Sequence, residues 1–301
     1  MKSYALIVNP ASGRGRAQRK AEELRQALSD SASVEVLETT HRGAALDLAA
    51  GAVGRVDRVI AVGGDGTLNE VVSGLMSTGS VGPRLPELGF LPAGTANAAV
   101  QAFRLGSDPV SLARALTDAE ARPLDVGMVR HEGGERAFLL WFGAGWDAVV
   151  IDTLNTSRSG FMGVSGLFGH VPQMFRALSG YDQPPITADV DGSSFGTHAS
   201  VVVANVGEVA FGGLVTDGAD PSDGRFDVVG IPHLSVLKGI RLGFQMMTSS
   251  LTRSAAVKHE LGAQIVLQSD GEVPFQLDGE PVGALPATVT LVPGAVRFLF
   301  T

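Results

Sequence analysis

The chain has 301 residues, 45% of them hydrophobic, which suffices for two buried cores rather than one. A formal net charge of -8 excludes a non-specific nucleic-acid binder, whose phosphate contacts need a basic surface, and speaks against strong electrostatic adsorption to anionic lipid. The absence of cysteine excludes a disulfide framework and thiolate chemistry, and fits a reducing cytoplasm.

Strand and helix patterns alternate through the first third. Tyr4–Val8 reads as a buried strand and residues 9–15 as a Gly-rich loop. This opening apolar run ends at Asn9-Pro10, too short for a secretory leader. Ala17, Ala21, Leu24 and Leu28 then fall on one helical face. Residues 34–37 follow as strand, 43–53 as helix, 58–62 as strand, 68–75 as helix, 88–91 as strand and 95–103 as helix. This order predicts a mostly parallel sheet covered on both faces, with ligands at the carboxyl ends of its strands.

The pattern changes at Arg122-Pro123. Short strand-like runs follow at 126–129, 137–142, 186–190, 199–204, 226–231, 264–267 and 288–292, punctuated by Gly, Pro and Asp. We read these as an antiparallel β-sandwich domain over 124–289, carrying helical insertions near 163–178 and 235–252, after an α/β domain over 1–123. The longest stretch without a polar side chain, Ala137 to Trp146, is about half of what a spanning helix requires, so no transmembrane segment is expected.

Three Gly-rich loops each follow a predicted strand and precede a helix: Asn9-Pro10-Ala11-Ser12-Gly13-Arg14-Gly15, Gly63-Gly64-Asp65-Gly66-Thr67-Leu68-Asn69-Glu70, and Pro92-Ala93-Gly94-Thr95-Ala96-Asn97. Glycine lets backbone N–H groups approach an anion, and a helix start adds unpaired N–H groups with a positive dipole end. Each loop alone reads equally well as a tight turn. Together, with the hydroxyls of Ser12, Thr67 and Thr95, they suit a polyphosphate. No G-x-x-x-x-G-K-[ST] string is present, which excludes a P-loop NTPase.

The three loops, in this order, resemble the diacylglycerol kinase catalytic-domain family, which includes bacterial lipid kinases, sphingosine kinases and ceramide kinases. The resemblance continues through Leu124-Asp125-Val126-Gly127, Gly145-Trp146-Asp147-Ala148, Asp223-Gly224-Arg225-Phe226-Asp227 and Leu277-Asp278-Gly279-Glu280, nearly the whole chain. It implies an ATP- and Mg²⁺-dependent lipid kinase, peripheral to the membrane, with residues of about 290–301 returning to the first domain. Nucleotide contacts would fall on Asn9, Ser12, Thr39 (or its neighbour Thr40), Gly63, Gly64, Asp65, Gly66, Thr67, Asn69 and Thr95. A second, structural Mg²⁺ would use the Asp223 side chain with the carbonyls of Asp220 and Arg225. The usual proline-containing stretch is replaced here by Thr216-Asp217-Gly218, and a plain Asp-Gly turn stays open for that loop.

Three carboxylates need separate readings. Asp65, set among phosphate-binding glycines, would repel ATP unless a cation lay between them, which suits Mg²⁺; it also reads as a cap for the helix that follows it. For Asp125 the resemblance implies a partner in the Asp65 network, while the residues alone read equally as a hydrogen-bonding residue at the domain junction. The resemblance puts the proton acceptor in Asp278-Gly279-Glu280, with Glu280 favoured and Asp278 its partner or alternative; Asp-Gly is also a strong turn signal.

Phe161 to Leu178, and the stripe Leu237, Ile240, Phe244, Met247 and Leu251, read either as a lipid-binding gate or as ordinary core. The rival functions are an NAD kinase, since G-G-D-G-T is shared with that group, and a non-catalytic nucleotide- or lipid-binding regulator, against which the intact Asp65, Asp278 and Glu280 argue. The acceptor lipid is not legible, and a homodimer stays open.

Overall fold

The computed structural model describes residues 1–94, 97–118, 120–156, 179–209, 213–233 and 250–300, together with 176, 177, 235, 241, 242, 245 and 248. In chain order the elements are β1 (Lys2–Val8), α1 (Arg16–Leu28), β2 (Ala32–Glu38), α2 (Ala44–Ala52), β3 (Arg58–Gly63), α3 (Asp65–Ser77), β4 (Glu87–Pro92), α4 (Ala98–Phe103), α5 (Pro109–Asp118), β5 (Arg122–His131), β6 (Gly134–Phe138), β7 (Trp141–Gly145), α6 (Trp146–Thr156), β8 (Ile186–Val190), β9 (Ser193–His198), β10 (Ser200–Ala204), β11 (Glu208–Val209), β12 (Gly213–Leu214), β13 (Phe226–Ile231), β14 (Lys258–Gly262), β15 (Gln264–Gln268), β16 (Pro274–Leu277), β17 (Glu280–Ala284) and β18 (Ala287–Phe298). They form two compact units: Met1–Asp125 with Pro293–Thr301, and Val126–Val292.

The first unit is built on parallel strands in the order β2-β1-β3-β4, with Phe298 at the end of β18 pairing in parallel with Leu88. Tyr4–Val8 and the whole of β3 are buried, as central parallel strands must be when helices cover both faces. The apolar face of α1 packs Ala17, Ala21, Leu24 and Leu28 onto Leu6, Val8, Ile60 and Leu91, joined by Leu112, Ala113 and Leu116 of α5 and by Leu299. Arg58 is fully buried inside this unit, where Glu87, the Tyr4 hydroxyl and the Leu116 carbonyl take its guanidinium. Helices α2 and α3 pack so closely that a side chain on Gly74 would overlap the carbonyl of Leu46.

The second unit is an antiparallel β-sandwich. One sheet runs β14-β13-β10-β7-β16-β17; the other runs from β18 through β15 and β8 to β9. Phe138, Phe142, Val201, Val203, Phe226 and Phe275 meet Ile186, Ala188, Ile265, Leu267 and Val289 in one core. Within it Phe142 stacks on Phe275 at 5.3 Å and Phe138 on Phe226 at 5.5 Å.

The fold class read from the sequence holds. Some elements differ. The run 137–142 is split between β6 and β7, because Leu139 and Leu140 form the corner joining them. α5 and α6 were not expected, and neither were the polar edge strands β9 and β14. The helical reading of 163–178, and the stripe of Leu237, Ile240, Phe244 and Met247, lie almost wholly outside the described residues. Leu251 is described, and is buried in a short 3-10 turn.

Candidate functional site

In the first unit the strand order reverses direction between β1 and β3, and the first two Gly-rich loops leave the sheet at that point. The third leaves the carboxyl end of β4, the neighbour of β3. Close contacts bring the loops together. The Asn9 side chain turns its own loop, accepting the Ala11 N–H at 3.1 Å, and donates to the Thr67 hydroxyl at 3.3 Å. The Gly63 carbonyl accepts from the N–H groups of Ala93 and Gly94 at 2.6 and 3.0 Å. A Cβ on Gly94 would stand 2.6 Å from the Cα of Gly64, and one on Gly13, whose φ is +62°, would overlap the Ala93 carbonyl. The surface here is therefore backbone, which only glycine permits.

The other expected nucleotide residues fall around this surface. Ser12 opens a short 3-10 turn, its N–H on the Asn9 carbonyl at 3.0 Å. Gly66, Thr67 and Asn69 lie in the first two turns of α3, close to the positive end of its dipole, and the Thr67 N–H donates to the Gly64 carbonyl at 3.0 Å. Thr67 is buried, and a side chain on Gly63 would overlap it. Thr39 extends β2 by donating its N–H to the Val8 carbonyl at 2.9 Å, beside the first loop. Thr95 lies outside the described residues. One residue that the sequence reading missed is Lys20 of α1. Its ammonium donates to the carbonyls of Pro92 and Ser107, each at 2.7 Å, and so fastens the base of the third loop. Burial pushes its pKa below the usual lysine value.

Asp65 is the first residue of α3, but it does not cap that helix. Its two carboxylate oxygens accept the N–H groups of Ala98 and Ala99 at 2.9 and 3.0 Å, so it caps α4 across the third loop. Burial pushes its carboxyl above the ordinary range, and these N–H bonds oppose that shift. Among the described residues no lysine or arginine forms an ion pair with it. The N–H groups of Asn97 and of Asp65 itself also face this carboxylate; it has about four acceptor sites and suits a cation held directly or through water. Asp125, 1% exposed, accepts the Gly294 N–H at 2.6 Å within this same unit.

In the second unit Asp278 and Gly279 are the two loop residues of the β16–β17 hairpin, with φ of +50° and +88°. Two left-handed residues make the tight turn that antiparallel strands prefer. The buried Asp278 carboxylate accepts three backbone N–H bonds, from Leu139 at 2.9 Å, Leu140 at 2.8 Å and Trp141 at 3.0 Å. The Gly279 N–H donates to the Gln276 side-chain oxygen at 2.7 Å, and the Gln276 side-chain nitrogen donates to Asp147 at 2.7 Å. Glu280 follows the turn and is exposed.

The Asp220–Arg225 loop is closed on itself. Asp220 accepts from the N–H and hydroxyl of Ser222 at 3.0 and 2.6 Å, Asp223 accepts the Arg225 N–H at 2.9 Å, and Gly224 takes φ of +77°. Both carboxylates are exposed. Asp227, just beyond, is buried between the Thr216 hydroxyl at 2.9 Å and His259 at 2.7 Å. No group of three acidic or histidine side chains suited to a metal occurs among the described residues. No described helix is long and apolar enough to cross a membrane.

Residues 3–129 match the diacylglycerol kinase catalytic domain, and residues 141–300 match the YegS C-terminal NAD kinase beta sandwich-like domain. A diacylglycerol kinase of Mycobacterium tuberculosis is 28% identical, over 97% of this chain and 93% of its own. Another, from Staphylococcus haemolyticus, is 28% identical over 77% of this chain and 67% of its own. In fold, the chain is similar to the crystal structure of a diacylglycerol kinase from Bacillus anthracis, with a TM-score of 0.74 at 20% identity, covering all of this chain and 97% of that one. With its two units matched in order, the chain belongs to the diacylglycerol kinase catalytic-domain family.

Proposed function

We propose that the protein transfers the γ-phosphoryl group of ATP to a lipid hydroxyl, that of diacylglycerol or a related lipid, at a membrane surface. The observation that carries this reading is the convergence of three glycine loops at the switch point of the first unit, where side-chain-free backbone and the start of α3 suit a polyphosphate. Asn9, Ser12, Thr39, Gly63, Gly64, Gly66, Thr67, Asn69 and Thr95 would hold the nucleotide. Asp65 would hold Mg²⁺, which when bound offsets the charge of the phosphates. The internal hydrogen bonds of the Asp220–Arg225 loop account for it as a turn, so we assign it the turn role first, with a second, structural ion on the Asp223 side chain and the carbonyls of Asp220 and Arg225 as the alternative.

Glu280 is the proposed base. It accepts the proton of the acceptor hydroxyl as that oxygen bonds to the γ-phosphorus and the bond to the departing ADP breaks. Asp278 spends both oxygens on three backbone N–H groups. That favours an anchoring role for it and leaves the proton to Glu280.

Mg²⁺-dependent transfer from γ-labelled ATP, offered total lipid extract in mixed micelles and NAD in parallel, tests the reading. Label in the organic phase supports it, and chromatography names the acceptor. The second unit matches a YegS domain described as NAD kinase beta sandwich-like, and this keeps NAD as a second acceptor. Label on NAD alone, or on neither, refutes the lipid kinase reading.

A further inference from the structure

The second unit holds a carboxylate that the reaction above does not use. Asp147 sits in the first turn of α6, directly after β7. The residue is half-buried, yet protein surrounds its carboxyl group, and burial pushes the pKa up against the pull of Gln276 and Trp141. Among the described residues no lysine or arginine pairs with it. A charge kept in such a place costs stability, so its placement calls for a purpose.

Its partner is Gln276, which is fully buried on β16 beside β7. An amide has a donor end and an acceptor end, and the two ends of this one have different tasks. The nitrogen donates to Asp147, and the oxygen accepts from the N–H of Gly279. An ionised carboxylate only accepts, so in that form Asp147 draws the nitrogen towards itself and leaves the oxygen to Gly279. Gly143 leaves room for this arrangement, since a side chain there would overlap the Asp147 carboxylate and come within 2.7 Å of the Gln276 nitrogen.

We infer that Asp147, acting through Gln276, is a positioning residue for the Asp278-Gly279 turn and hence for Glu280. Asp278 pins the turn from one side by its three N–H bonds, and the Asp147–Gln276 relay pins it from the other. With the amide free to flip, its NH₂ group would face the Gly279 N–H, donor against donor, and the turn would lose this tie. The catalytic part of this inference rests on the kinase reading above; the holding of the turn does not.

The test compares wild type, Asp147→Ala, Asp147→Asn and Gln276→Leu in the full chain, with two readouts. Hydrogen exchange at the Gly279 amide reports on the turn, and steady-state transfer from ATP to lipid reports on catalysis. In Asp147→Ala, Gly279 protection falls about tenfold or more, and kcat falls about 10- to 100-fold while KM for ATP stays unchanged, as expected of a displaced base. Asp147→Asn keeps an oxygen for Gln276 and recovers most of both losses; Gln276→Leu reproduces them. Unchanged Gly279 protection in Asp147→Ala overturns the inference, as does a raised KM for ATP at constant kcat. If wild type transfers nothing to lipid, the kinase reading falls, and Gly279 protection alone decides whether Asp147 holds the turn.

Discussion

Replacing Asp278 by alanine separates an anchor from a base. The substitution takes the acceptor away from three backbone N–H groups in the buried corner between β6 and β7. One buried donor left without a partner costs about 1–3 kcal/mol, and because the three share one carboxylate their losses overlap, giving about 3–5 kcal/mol together. Alanine at a φ of +50° adds about 1 kcal/mol, since it tolerates the left-handed region less well than aspartate. At about 2–4 °C per kcal/mol for a unit of this size, the unfolding midpoint should fall by roughly 8–24 °C. Both tryptophans of the chain, Trp141 and Trp146, lie in the second unit, and Trp141 is itself one of the three donors. Intrinsic fluorescence during thermal unfolding therefore follows the affected unit. A midpoint within about 2 °C of wild type would refute the anchoring argument and return Asp278 to the list of candidate bases.

Glu280→Gln should leave that midpoint unchanged, because the side chain is exposed, while lowering kcat about 10²- to 10⁴-fold with KM for ATP retained; steady-state kinetics checks this. Asp65→Asn should abolish Mg²⁺-dependent transfer with the fold kept, as judged by circular dichroism; wild-type turnover would remove Asp65 from the site. Lys20→Met frees the carbonyls of Pro92 and Ser107 and should raise KM for ATP about 3- to 30-fold with a smaller effect on kcat, read from ATP titrations. For Asp147 the folded pKa is raised, so the folded state holds its proton where the unfolded chain has lost it, and stability falls as pH rises through that window. Urea unfolding should show wild type losing stability relative to Asp147→Asn above about pH 4, with the difference vanishing in more acidic solution.

The parts of this molecule that were legible in the sequence are those where one local pattern decides the outcome. The strand–glycine–helix junctions at residues 9–15 and 63–67 announce themselves, because buried parallel strands are apolar throughout and the loops after them need glycine. Asp278-Gly279 was readable both as a turn and as a site, and it is a turn whose next residue is the proposed base. α5 carried signals that went unread: Asp108 accepts the Ser111 N–H at 2.8 Å, and Pro109 opens the helix. β9 and β14 are edge strands with exposed polar residues, so they lack the apolar alternation that marks an inner strand. Lys20 and Gln276 had no signal at all. Each acts on groups far along the chain, Lys20 on residues 92 and 107 and Gln276 on Asp147, and no spacing rule reaches that far.

The chain leaves the first unit at Asp125 and re-enters it at Pro293, and the Asp125–Gly294 hydrogen bond ties the outgoing strand to the returning one. During synthesis, then, the first unit emerges early but stays unfinished until residues 293–301 clear the ribosome. Until then Leu88 lacks its neighbour on the β18 side, and the core around α1 and α5 lacks Leu299. A fragment ending at residue 125 would keep every glycine loop and still be an open fold, prone to aggregate along β4. Expressing the first unit on its own calls for a graft, in which residues 293–301 are joined to the chain after Asp125 by a short linker.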